Sequence, residues 1–118
     1  MRFRAVLDEF PAAAAGGEGG DSQRDMEILA EYTRGDDRIH MCYAFDFLAP
    51  DPLTAEKVRE VAEKCEVGAA NGWSCWAFSN HDVVRHASRS YAFERDRRRY
   101  LDACAGILFT LRGSVRIS

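Results

Sequence analysis

Apolar positions along the chain switch between a helical and an extended spacing several times in succession. Phe3, Val6, Leu7 and Phe10 stand at i, i+3, i+4 and i+7, one face of a helix, and Pro11 ends it. Ala12 to Gly17 is small and apolar, a poor strand by its own residues because Ala and Gly pack weakly on a pleated surface. Its place between two helices predicts a strand. Ser22-Gln23-Arg24-Asp25 resembles a capping box, with Asp where Glu is more usual. Met26, Leu29, Ala30 and Thr33 then share a helical face, and Gly35 sits where a helix C-terminal glycine belongs. From Ile39 to Leu48, the apolar Ile39, Met41, Tyr43, Phe45 and Phe47 alternate with His40, Cys42, Ala44 and Asp46, which predicts a strand.

The alternation repeats downstream. Pro50 and Pro52 mark a loop, and Thr54 is placed to cap a helix carrying Val58, Val61, Ala62 and Cys65. Asn71-Gly72 is a turn signal before a strand from Trp73 to Asn80. A loop follows from His81 to about Ala92. Tyr100, Leu101, Cys104, Ala105, Leu108 and Leu111 give another helix, ended by Gly113, and Ser114 to Ile117 forms a last strand. The order α-β-α-β-α-β-α-β argues for parallel strands joined by helical crossovers. Pattern alone fits both a small open sheet and half of an eight-stranded barrel.

Composition narrows the function classes. The 118 residues are 47% hydrophobic and 30% charged, a globular balance. A net charge of −3 offers no basic face for nucleic acid. The one basic run, Arg95 and Arg97 to Arg99, is interleaved with Glu94 and Asp96 and reads as a solvated helix face. Cys42, Cys65, Cys75 and Cys104 have no zinc or redox spacing and read as buried free thiols of a cytoplasmic protein. The first ten residues carry acids and lack a signal-peptide core, and no apolar stretch is long enough to span a membrane.

In α/β architectures, reactive groups gather at the C-terminal ends of the strands. The first predicted strand runs into Gly16-Gly17-Glu18-Gly19-Gly20-Asp21, the second ends near Asp46, and the third ends in Ser79-Asn80-His81-Asp82. Glu18 among glycines reads first as a solvated turn, and otherwise as a general acid approached closely by a substrate. A phosphate loop is disfavoured by the acid in its middle and by the missing G-x-x-x-x-G-K pattern. Asn80-His81-Asp82 suits a carboxylate and imidazole presented to a polar ligand, or equally an Asn/Asp turn. No G-x-S-x-G elbow supports a serine hydrolase. His81 and His86 have no helical metal-ligand spacing.

Taken in order, these segments resemble the α-amylase family, glycoside hydrolase family 13, in its bacterial α-glucosidase and oligo-1,6-glucosidase branch. Trp76-Ala77-Phe78-Ser79-Asn80-His81-Asp82-Val83-Val84-Arg85-His86 is similar to the region after barrel strand 7, and Gly17-Glu18-Gly19-Gly20-Asp21 to the region after strand 5. Ala30-Glu31-Tyr32-Thr33-Arg34-Gly35-Asp36-Asp37 with His40 to Phe45 resembles the strand-6 unit, and Leu111-Arg112-Gly113-Ser114-Val115 the entry to strand 8.

The resemblance implies an α/β fold: a partial (βα)8 barrel of four parallel strands, its C-terminal half, spread over residues 1–118. It implies a retaining hydrolase of terminal α-glucosidic bonds in malto- or isomalto-oligosaccharides, needing no cofactor or metal. Glu18 would be the acid/base and Asp82 the carboxylate that stabilises the transition state. His81 would hold the sugar, and Asn80, Arg85 and His86 would line the pocket. The family's nucleophilic aspartate follows strand 4, and no residue here matches it. The resemblance therefore also implies a piece truncated at both ends and inactive alone. The rival reading is a non-catalytic half-barrel that binds a partner, or itself, through open sheet edges.

Overall fold

The computed structural model describes residues 2–18, 24–89 and 96–117. Its sheet has four parallel strands: β1 (Gly16–Gly17), β2 (Met41–Ala44), β3 (Ser74–Trp76) and β4 (Ser114–Val115). Helix α1 (Arg2–Leu7) precedes the sheet, and α2 (Asp25–Thr33), α3 (Ala55–Gly68), α4 (His86–Arg89) and α5 (Arg97–Thr110) fill the crossovers. Gly17 lies opposite Cys42, Ala44 opposite Trp76, and Trp76 opposite Val115.

The strands lie in space in the order β1-β2-β3-β4, the order of the sequence. A doubly wound sheet reverses its order at a switch point, whereas a barrel winds in one direction. This is the α/β arrangement of a barrel section. The section is open: its radius of gyration is 15.2 Å, against about 13.5 Å for a compact domain of this length.

Alternation along the strands divides the sheet into two faces. Cys42, Ala44 and Trp76 join Met26 and Leu29 of α2, Val61 and Cys65 of α3, and Cys104 and Leu108 of α5 in one core. Met41 and Tyr43 point the other way and are half-buried. Trp76 and Phe78 are both buried on the helix side.

Every strand is shorter than the pattern predicts. Alternation from Ile39 to Leu48 predicts one strand, but pairing stops at Ala44 and Phe45–Phe47 turns into a 3₁₀ helix. That turn carries the Phe47 ring to 5.6 Å from Trp76 and 5.1 Å from Phe78, so packing overrides the extended preference. The stretch before β1 is not extended throughout: Ala12 sits in a turn with a φ of +63°, and β1 begins only at Gly16. Ala15 is held instead by His40, whose Nδ1 accepts the Ala15 N–H at 3.2 Å. The loop predicted from His81 contains α4.

Several local signals are confirmed. The Thr54 hydroxyl accepts the Lys57 N–H at 3.1 Å, capping α3. All four cysteines are buried and free. Ser22, the predicted cap of α2, lies outside the described residues, and Arg24 at that helix's start makes no side-chain cap.

Gly113 anchors β4. Its φ is +143°, and a Cβ there would stand 2.5 Å from the Ser74 carbonyl and 2.8 Å from Trp76 Nε1. The same Nε1 donates to the Arg112 carbonyl at 2.8 Å. Gly113→Ala is expected to destabilise the chain by about 2 kcal/mol or more, through backbone strain and a displaced indole. Urea titration checks this; an unchanged midpoint would contradict the packing described.

Candidate active site

Because all four strands run the same way, their C-terminal ends share one edge. Glu18 follows β1 directly. His81 and Asp82 follow β3, which is separated from β1 by β2. Past the paired strands, the two outer segments meet. One ligand atom each from Glu18, His81 and Asp82 all lie within 4.8 Å of one another.

Within the cluster, His81 Nε2 is 3.4 Å from Asp82 Oδ1. Their side chains are 73% and 65% exposed, so the pair contributes little to stability. Exposed polar groups gathered from separate strands, with no structural task, are free to meet a ligand. Asn80 shapes the loop: its Oδ1 accepts the N–H groups of Asp82 at 3.0 Å and Val83 at 3.2 Å. The Asn-turn reading of this tripeptide is therefore correct for Asn80 and coexists with the ligand-facing reading of its neighbours.

Two carboxylates and an imidazole are also a donor set for a divalent transition metal such as zinc, and exposed groups of this kind are common without an ion. The same donors and acceptors suit sugar hydroxyls and a glycosidic oxygen. Asp46, at the end of the predicted second strand, is occupied elsewhere: its side chain is 9% exposed and accepts from Lys64 Nζ at 3.0 Å.

The structure places the remaining predicted residues differently. Arg85 and His86 line a largely apolar groove of about 330 Å³ with Phe78, Cys104, Leu108 and Ile117. The His86 ring stacks on Phe78 at 4.7 Å, and its Nε2 lies 3.3 Å from Cys104 Sγ. Its backbone N–H donates to the Ser79 hydroxyl at 2.6 Å, which caps α4. Neither Ser79 nor Arg89 has a role that the sequence alone assigns. Arg89 donates to the carbonyls of Leu48, Ala49 and Phe78, which stand 41, 40 and 11 positions before it, contacts that no local motif announces.

No protein-family model matches the chain. A protein of Rhizobium meliloti (strain 1021) described as a probable alpha-glucosidase is 58% identical over 116 residues, covering 98% of this chain. The solved alpha-glucosyl transfer enzyme XgtA matches over 97% of this chain with a TM-score of 0.74 at 37% identity. The resemblance to the bacterial α-glucosidases holds. The α-glucosidase-like chain spans about one fifth of these relatives, 21% of the length of each. No helix among the described residues is long and apolar enough to cross a membrane.

Burial, and to a lesser degree the Arg89 guanidinium, hold the His86 imidazole below the ordinary histidine pKa. The unfolded chain takes up this proton first as the pH falls. The stability linked to His86 is thus present above about pH 6.5 and is lost as the pH falls through the lowered folded value. The melting temperature is expected to fall between pH 7.5 and 5, with a shallower slope in His86→Phe. Equal slopes in the two proteins would contradict the neutral, half-buried imidazole.

Proposed function

We propose that residues 1–118 form part of the catalytic barrel of a retaining α-glucosidase and supply its acid/base half. The convergence of Glu18 with His81 and Asp82 within 4.8 Å carries this reading. The 58% identity to a probable alpha-glucosidase supports it.

In this reading Glu18, protonated, donates to the leaving glycosidic oxygen, and its carboxylate later takes a proton from the attacking water. Asp82 stays ionised and opposes the positive charge that develops on the sugar ring. His81 donates to a sugar hydroxyl beside it. Asn80 holds the loop that presents them, and Arg85 and His86, which line the neighbouring apolar groove, are given no sugar contact. The nucleophile that retention requires comes from outside these residues. The substrates are terminal α-glucosides of malto- or isomalto-oligosaccharides, met in the cytoplasm. Neither a cofactor nor a metal enters the reaction.

Taken alone, the chain is proposed to be inactive, because nucleophile and acid act as a unit and losing one removes several orders of magnitude of rate. Turnover of p-nitrophenyl α-glucoside by the purified chain is expected to equal that of Glu18→Gln. A rate clearly above that variant would refute the inactivity.

A binding role is favoured by a separate observation. β1 and β4 each have one unpaired edge within the described sheet. Phe3 (56% exposed), Phe10 (60%), Phe109 (66%) and Ile117 (76%) leave apolar surface in water. Burying each such side chain stabilises by about 1.5–3 kcal/mol. The chain is therefore proposed to self-associate through its open edges. Analytical ultracentrifugation at micromolar concentration is expected to show dimers or larger species. A compact monomer with a cooperative thermal transition would contradict this.

A further inference from the structure

His81 and Asp82 are mostly exposed, so side-chain packing does not hold them opposite Glu18. Their position has to come from the backbone beneath them. Four hydrogen bonds fix that backbone. Arg89 Nη2 donates to the Phe78 carbonyl, at the start of the segment that carries Asn80, His81 and Asp82. Arg89 Nη1 donates to the Leu48 and Ala49 carbonyls, where the chain leaves the 3₁₀ turn after β2. The Ser79 hydroxyl holds the start of α4 at 2.6 Å from the His86 nitrogen. Residues 79–89 thus form a loop closed twice at its base, and the closure is bolted to the end of the neighbouring strand unit.

We propose that Arg89 is a positioning residue: it sets the 79–89 loop so that His81 and Asp82 stand beside Glu18. The assignment rests on the reading of that cluster as the glucoside site, but the clamp is measurable without sugar. A guanidinium suits the task. Its planar fork of N–H donors reaches three carbonyls at once, and bonds from a charged donor are about twice as strong as neutral ones. An ammonium on a flexible stem reaches fewer of them in fixed directions. Burial lowers the Arg89 pKa without removing its charge at neutral pH. Arg89 itself donates to backbone carbonyls and acts on the cluster through the loop.

The test uses the full chain with Arg89→Ala and Arg89→Lys. Amide–water exchange of Asp82 and Val83, both hydrogen-bonded to Asn80, reports loop order. A nuclear Overhauser contact between the His81 ring and Glu18 reports the juxtaposition. Arg89→Ala is expected to speed exchange at both amides about tenfold and to abolish the contact, while amides of α3 keep their rates. Arg89→Lys is expected to fall between. Unchanged exchange and a retained contact in Arg89→Ala would overturn the proposal. So would equal acceleration at all amides in both variants, which would make Arg89 a general stabiliser. Should Arg89→Ala fail to fold, the lysine variant decides by the same local comparison. If the unaltered chain shows no glucoside binding, the functional reading fails and the exchange result on Arg89 stands by itself.

Discussion

Parallel pairing between strands that are successive in sequence is the constraint from which the rest follows. Parallel neighbours cannot be joined by a tight turn, so each connection is a crossover that lays a helix on the sheet. Every strand then ends on the same edge. Glu18 and Asp82, 64 positions apart in sequence, are neighbours only for this reason. The sequential strand order fixes a second property. A sheet wound in one direction closes on itself only when complete, so a four-stranded section leaves an edge at each end.

The core is built to hold this edge. Trp76 is 1% exposed, its ring lies against Phe47, and its N–H is spent on the Arg112 carbonyl. That one side chain links β3, the turn after β2 and the entry to β4. Thr33 makes a comparable link at the opposite edge: its hydroxyl accepts the Trp73 N–H at 2.8 Å and donates to Leu29 at 2.7 Å. Held at both ends, β3 presents the loop that follows it in a defined place. The catalytic reading thus depends on apolar packing well below the exposed cluster.

The sequence showed the order of elements because periodicity is local: Met26, Leu29 and Thr33, or Val61 and Cys65, recur on one face and are buried on one face. It pointed to Glu18 and Asp82, which the structure brings close together, because strand ends in α/β folds attract chemistry, and the glycines around Glu18 and the Asn80-His81-Asp82 run are conspicuous there. Strand ends were not legible, since alternation through Phe47 describes a strand and this buried 3₁₀ turn equally well. α4 was not legible because it has four residues and its cap, Ser79, stands seven positions before the nitrogen it accepts from. The packing of His86 against Cys104 arises from a contact across 18 residues, which no residue-type pattern encodes.

The central claim is that Glu18 and the His81–Asp82 pair form one sugar-facing site. A maltose titration followed through the amide and imidazole resonances of the isotope-labelled chain tests it most directly. The account predicts concerted, saturable shifts at Glu18, His81 and Asp82 with one dissociation constant, and no shift for Asp46, whose carboxylate is held by Lys64. Shifts confined to the apolar groove near Phe109 and Ile117, or none at any of the three residues at saturating sugar, would contradict it.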